Sequence, residues 1–314
     1  MRCWRRLGRG TFTLAGSALL VATLISFTGT LWAFGELLSN LRLQLLVVSA
    51  ILLFAALAMR SRGRAILILA LCAANSMPVL PYINARPANA AENASTLSVM
   101  TLNLFYGQAD PDRVARLVED WSPDVVVLTE ITPRTDTDYP PLFKDDYPFG
   151  VGTAGKNTFD LRVFSRFPLE NVIVDREEEF VPILNMTVRS PDIAWRMIAV
   201  HAPPPMLGTA FRDRVLVSAA EKAKSAGGPS FLVGDLNVTP WSPSFAHMAE
   251  IGDLRDSALG HPLLNTWLFR TVPFGLPLDH VLTSKDVVTV QRRVSAKVGS
   301  DHLALFARLA ARAP

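Results

Sequence analysis

Three long apolar runs open the chain, Thr11 to Phe34, Leu43 to Met59 and Ala65 to about Tyr82, and the pattern changes character after residue 82. Each run approaches the ~20 helical residues that cross a hydrocarbon core. Residues 1–82 are therefore expected to form a membrane anchor with about three transmembrane helices. The third run carries Asn75, Ser76 and Pro78 near its far end and is the least regular of the three. A cleaved signal peptide is the rival reading for the first run, but that run is longer than an ordinary signal core and two more follow it. Residues 83–96, "INARPANAAENAST", read as a polar linker.

From residue 97 to 314 the pattern is that of a folded domain. Strands are expected at 97–103, 124–130, 161–169, 182–190, 194–202, 230–235, 278–284, 287–294 and 303–310. Helical spacing marks 111–121, with Asp110 as N-cap and Pro111 in the first turn, and 211–227. Strands outnumber helices, so paired sheets covered by helices are expected.

Charge divides the chain at the same place. Residues 1–89 hold nine Lys+Arg and one acid, Glu36, whereas residues 90–314 hold 22 Lys+Arg and 27 Asp+Glu. The basic character thus belongs to the first segment and is no nucleic-acid footprint, and the mildly acidic remainder disfavours tight non-specific DNA binding. Arg2, Arg5, Arg6 and Arg9 precede the first run, and Arg60, Arg62 and Arg64 separate the second from the third. The positive-inside rule then places these segments in the cytoplasm. With three spans, the domain lies on the extracytoplasmic, periplasmic side of an inner membrane; a two-span hairpin would leave it cytoplasmic. The two cysteines, Cys3 and Cys72, both precede the domain, which therefore has neither a disulfide nor a Cys-based zinc site.

Polar residues recur where apolar strands end or begin: Asn103, Glu130, His201, Asp235 with Asn237, Asp279, and Ser300-Asp301-His302. Strand ends bring such groups to a common rim in layered α/β folds. In Asp235-Leu236-Asn237, extended geometry puts both polar side chains on one face. Asn103, Glu130 and Asp301 offer hard oxygens of the kind Mg²⁺, Mn²⁺ or Ca²⁺ takes. His201 and His302 are suited to hydrogen bonding or proton transfer, and Asp279 or Asp235 to orienting a histidine. No Ser nucleophile elbow, Walker loop or H-E-x-x-H is present. The acidic run at 175–180 reads as a solvated loop or strand edge, His280 as structural, and His247 and His261 as surface residues.

In order, "TLN", "LTE", "VHAPP", "GDLN", "LDHVL" and "SDH" resemble the motif series of the endonuclease/exonuclease/phosphatase (DNase I-like) superfamily across residues 97–310. The resemblance implies a four-layer α/β sandwich, with two mixed β-sheets face to face and helices outside. It implies a metal site at Glu130 and Asn103 with Asp301 as a further carboxylate, the cation being Mg²⁺ or else Mn²⁺ or Ca²⁺. It gives Asp235 the role of positioning or deprotonating water, His201 and Asn237 contact with the phosphate, and Asp279 pairing with His302. Arg162, in a strand like the family's own, is a candidate substrate contact. Thr129 stands where the family often has Gln, and no tyrosine matches the one many nuclease members use near the phosphate. The expectation is a membrane-anchored, metal-dependent phosphoesterase, with a phosphodiester in nucleic acid or a phospholipid headgroup as substrate and the bilayer as partner. The spans resemble those of membrane-anchored bacterial members. The rival is a catalytically silent binding module of the same fold.

Overall fold

The computed structural model describes residues 2–153, 157–176, 180–225, 227–269, 272 and 274–312, with side chains from Gly10 onward. Residues 177–179 of the acidic run and the arginine side chains before Gly10 lie outside that description.

Two six-stranded sheets form the domain. The first contains β1 (Thr96–Asn103), β2 (Val125–Thr129), β3 (Phe149–Gly152), β4 (Leu161–Ser165), β11 (Val287–Val294) and β12 (Leu305–Ala311), in the order β11-β12-β1-β2-β4-β3. The second contains β5 (Leu169–Asp175), β6 (Ile183–Arg189), β7 (Ala194–Val200), β8 (Ser230–Asp235), β9 (Arg255–Asp256) and β10 (Asp279–Thr283), in the order β5-β6-β7-β8-β10-β9. Both are mixed: β1 pairs in parallel with β2, and β7 with β8, whereas the other pairs are antiparallel.

Period-2 alternation builds the layers. Val125 and Val127 face the core between the sheets with Val99, Trp195, Phe231 and Val281. Val126 and Leu128 face helices α6 (Pro111–Trp121) and α7 (Pro133–Phe143) through Val114, Val118 and Phe143. On the other side Ile198 and Leu232 pack against α8 (Thr209–Ser225) and α9 (Pro243–Gly252) through Leu216, Phe245 and Met248. The result is the expected four-layer sandwich. Helix α6 starts as its sequence predicts, with the Asp110 carboxylate accepting from the Asp112 and Arg113 amides.

Local departures have local causes. The 161–169 run is two strands on different sheets, broken where Ser165 Oγ accepts from the Phe167 amide and Pro168 follows. Helix α7 is hidden in the sequence by Pro140 and Pro141, but Thr132 and Thr135 close a capping box at its start. The Thr239-Pro240-Trp241 segment is a turn, and α9 starts behind the Ser242 N-cap.

The N-terminal segment corrects the expectation of three uninterrupted spans. It forms α1 (Arg2–Ser26), α2 (Ala33–Asn40), α3 (Arg42–Ala58), α4 (Arg62–Ser76) and α5 (Leu80–Asn84). Among the described residues no single helix is long and apolar enough to cross a membrane; α2 and α3 together reach that length and composition but meet at a 63° bend. The first run breaks after Ser26 because α2 turns back onto the domain. Arg212 Nη1 donates to Glu36 Oε1 at 2.9 Å with both side chains fully buried, and Ser242 Oγ donates to the same oxygen at 2.6 Å. Asn40 Oδ1 accepts from the Thr239 amide and hydroxyl, each at 2.9 Å, and Trp241 Nε1 donates to the Asn40 carbonyl at 3.0 Å. Residues 35–40, between the first two apolar runs, lie wholly within α2, which docks on α8 and the turn before α9.

Removing Glu36 leaves the buried Arg212 with the partly exposed Asp213 as its remaining partner, at 2.7 Å, and its Nη1 without an acceptor. Glu36→Ala is expected to cost about 3 kcal/mol. The Glu36→Met/Arg212→Met double variant should recover much of that loss, as read by urea denaturation of the full chain. An additive double variant would show that the pair is not coupled.

Candidate active site

The strand-end residues meet at one rim of the two sheets. Asn103 closes β1, Glu130 follows β2, His201 follows β7, Asp235 ends β8, and Asp279 begins β10. Asp279 lies directly opposite Asp235 in the antiparallel register of β8 and β10. Several backbone positions here are unusual. Glu130 and Asn237 have left-handed φ values of 58° and 50°, a conformation uncommon outside glycine. It turns their side chains off the strand direction. Gly234 has φ 142°, and a Cβ there would collide with the Val200 carbonyl oxygen of neighbouring β7. Only glycine lets β8 carry Asp235 this close to His201.

The side chains form one network. Asn103 Nδ2 donates to Glu130 Oε1 at 3.0 Å and to Asp235 Oδ2 at 2.9 Å. Glu130 Oε2 accepts from the Tyr106 amide at 2.7 Å. His201 Nδ1 lies 3.0 Å from the Thr158 carbonyl, so it carries the proton and Nε2 faces the site, 3.6 Å from Asp235 Oδ2. Asn237 Nδ2 is held by the Ala202 carbonyl at 2.9 Å and sits 3.4 Å from His201 Nε2, and the Asn237 amide donates to Asp235 Oδ1 at 2.9 Å. His302 Nδ1 donates to Asp279 Oδ2 at 2.7 Å, leaving Nε2 3.7 Å from Asp235 Oδ2. Ser300 Oγ ties this corner to β1 by donating to the Asn103 carbonyl at 2.7 Å.

Burial and mutual charge set the protonation states. Burial, then the facing Asp279 carboxylate, raise the Asp235 pKa to about 6. Burial alone would lower His302, but the Asp279 and Asp235 carboxylates outweigh it and raise the pKa to about 10. Burial pushes His201 down. Near neutrality the site therefore holds an imidazolium at His302, a neutral imidazole at His201 and a basic carboxylate at Asp235.

Glu130 and Asp301 offer carboxylate oxygens of the kind a divalent cation takes, whereas Asn103, expected with them, turns its Oδ1 to the Phe105 amide at 2.8 Å and presents Nδ2 to Glu130. Glu130 lines the cavity with its side chain 12% exposed. Asp301 takes the Trp267 indole N–H on Oδ2 at 3.0 Å, and its buried Oδ1 has no protein partner. An orphaned carboxylate oxygen beside a second carboxylate fits a bound cation. Asp235, Asp279 and His302 form another close group, with ligand atoms within 4.8 Å of one another. There His302 Nδ1 occupies Asp279 Oδ2, while the buried Asp279 Oδ1 also has no protein partner.

The sites expected from sequence gather here with one exception. Arg162 pairs with Asp136 of α7 and lies over the Phe164 ring. Its neighbours Leu161 and Val163 face the core between the sheets, so alternation turns Arg162 to the helical layer. It is not in the cavity. His280 is buried as a structural group, with Nε2 2.8 Å from the Val238 carbonyl. His247 is exposed, and His261 is half-buried beside the Thr289 carbonyl. Tyr106, Phe159, Trp267 and the 3-10 turn at Pro205–Leu207 also line the cavity, together with Leu37 and Leu41 of the N-terminal segment. Sequence reasoning missed these because none ends a strand of the motif series.

A family model described as the endonuclease/exonuclease/phosphatase family matches residues 100–302. The chain belongs to that family. No curated protein matches it. Its fold is similar to an endonuclease/exonuclease/phosphatase from Bacteroides vulgatus, at TM-score 0.60 and 17% identity over 69% of this chain and 100% of the other. It is also similar to D. rerio TDP2 complexed with single strand DNA product, at TM-score 0.58 and 17% identity over 68% and 99%. A third likeness is the family protein from Beutenbergia cavernae, at TM-score 0.53 and 22% identity over 69% and 72%. Each of these structures leaves roughly the length of the N-terminal helices of this family member uncovered.

The raised His302 pKa has a consequence for stability. The folded state holds a proton that the unfolded state releases near pH 6.5, so this contribution is complete below about 6.5 and is lost as pH rises through about 10. Metal-free protein is expected to lose stability over that window. His302→Gln should flatten the loss, measured by urea denaturation in EDTA at a series of pH values.

Proposed function

We propose that the chain is a divalent-metal-dependent phosphoric ester hydrolase acting on a phosphodiester by in-line attack of water. The observation that carries this reading is the Asp235 network: a buried carboxylate with raised basicity, flanked by two histidines of opposite protonation state and an amide, beside a pair of metal-type carboxylates. Glu130 and Asp301 would hold the cation, Mg²⁺ first, with Mn²⁺ or Ca²⁺ as alternatives, and Asn103 would hold Glu130 in place through its Nδ2. When bound, the cation neutralises charge on the leaving oxygen. Asp235 takes the proton of the attacking water as its oxygen bonds to phosphorus. The His302 imidazolium and the Asn237 amide donate to the non-bridging oxygens, where negative charge grows. Asp279 fixes the tautomer of His302, and the Thr158 carbonyl fixes that of His201. The similar D. rerio TDP2 structure is a complex with single strand DNA product; nucleic acid and phospholipid headgroups are the two substrate classes that a diester site of this kind would serve.

We further propose that the N-terminal helices tether the domain to an inner membrane; by the positive-inside rule an odd number of crossings puts the domain on the periplasmic side. The support is an inside-out distribution. Thr23, Ser26, Ser49 and Asn75 are buried among the helices, while Leu14, Ile51, Phe54 and Ile66 are 62–76% exposed. Exposed apolar area on that scale marks a surface made for an apolar environment.

Bis-p-nitrophenyl phosphate should be hydrolysed by the full chain with Mg²⁺ or Mn²⁺ and not in EDTA. Asp235→Asn and Glu130→Ala should each lose more than ~100-fold in kcat, since positioned acid–base groups alone contribute ~10²–10⁴. Rates unchanged in both variants would overturn the assignment. On cell fractionation the full chain should stay in the membrane pellet through carbonate washing and leave it only with detergent; release by carbonate would exclude the tether.

A further inference from the structure

The active-site cavity has a wall that the family model does not include. It measures about 430 Å³, and Leu37, Asn40 and Leu41, at the α2 end of the N-terminal segment, line it together with the metal-side and phosphate-side residues. Helix α2 is fixed there by the buried Glu36–Arg212 pair and by Asn40, and α3 adds a contact of its own, Gln44 Nε2 donating to the Gly275 carbonyl at 3.2 Å. The wall is therefore part of the site and not a helix lying near it.

The chemistry of this lining is uneven. At one end stand Glu130, Asp235, Asn237, Asp301 and the two histidines. The rest is largely apolar, with Phe159, Met206, Leu207 and Leu276 facing Leu37 and Leu41 around the cavity. Met206 and Leu207 are 71% and 60% exposed at its mouth. No Lys or Arg lines the cavity among the described residues. A nucleic-acid strand brings a phosphate at every step and is held by basic grooves; among the described residues the charged and donor groups of this cavity gather at its Glu130–His302 end. The α2 wall is also continuous through α3 with the outward apolar surface of the N-terminal helices, where Ile51 and Phe54 project.

We propose that α2 is the substrate-selecting wall of the site, and that the cavity takes an amphiphilic phosphate ester. The single phosphate sits at the carboxylate and histidine cluster, and a long apolar chain runs against Leu37 and Leu41. Leu37 and Leu41 are thus specificity-determining residues, supplied by a segment whose outer face is itself apolar. A lipid phosphodiester entering from a bilayer is the substrate class this geometry selects over nucleic acid. The inference rests on the hydrolase reading above and goes beyond it in naming the substrate.

The test is a series of p-nitrophenyl alkyl phosphates, from methyl to octyl, hydrolysed by the full chain in lipid nanodiscs with Mn²⁺. Burying a methylene contributes a factor of up to about four. The expected result is that kcat/KM climbs about threefold per added carbon over the first several carbons, mainly through KM. The Leu37→Asn/Leu41→Asn variant should flatten that climb, and Leu37→Met/Leu41→Met should keep it. Partition into the bilayer is common to all forms, so the difference in slope reads the cavity. Calorimetric binding of a short-chain lysophospholipid to the metal-free chain should weaken at least tenfold in the Asn variant, which checks the wall without turnover. A flat series in the unmodified chain, an equal slope in the Asn variant, or a preference for p-nitrophenyl thymidine phosphate over the octyl ester would each overturn the proposal while leaving the hydrolase reading standing. Absence of hydrolysis of every ester, the methyl one included, would remove that reading and this one with it.

Discussion

Two carboxylates face each other across a strand pair in the dry interior, and the site is organised around the cost of that placement. Asp235 and Asp279 are opposite in register, and both are almost completely buried. Like charges this close do not ionise independently at ordinary pH. His302 compensates Asp279 by donating to it directly. Burial first, and the facing Asp279 carboxylate second, raise the proton affinity of Asp235 against the lowering pull of His302. Asn103 completes the arrangement by donating to Asp235 and to Glu130 at once, so the proton-handling and metal-side halves share one amide.

The scaffold contributes through constraints at single residues. Gly234 allows close approach of β7 and β8, and the left-handed turns at Glu130 and Asn237 aim their side chains into the rim. Non-glycine residues in that region cost of order 1–3 kcal/mol and persist where surrounding structure fixes them. Here the fixing contacts are the Tyr106 amide on Glu130 and the Ala202 carbonyl on Asn237.

Much of the catalytic rim was legible because it depends on strand ends, and strand ends carry a strong period-2 signal. Asn103, Glu130, His201, Asp235 and Asn237 could be placed where an apolar run ends, and Asp279, Asp301 and His302 where one is about to begin. Arg162 shows where that reasoning stops. It sits within a strand, so its direction depends on which neighbours face the core, and Leu161 and Val163 take that side. Helix α7 was hidden because Pro140 and Pro141 oppose helical propensity while the capping box and packing of Tyr139 and Phe143 favour it. Helix α2 was hidden for a different reason: Glu36 reads as a loop residue until Arg212, far along the chain, is known to lie against it.

That long-range pairing changes what counts as the smallest functional piece of this protein. A fragment cut at the 83–96 boundary would keep the strand-end residues but lose the anion opposite Arg212 and the acceptor shared by the Thr239 amide and hydroxyl. Its reaction chamber would be open on one flank and wetted where the intact molecule is greasy. The helical segment is accordingly a structural part of the domain it packs on, and excising it would remove one wall of the cavity.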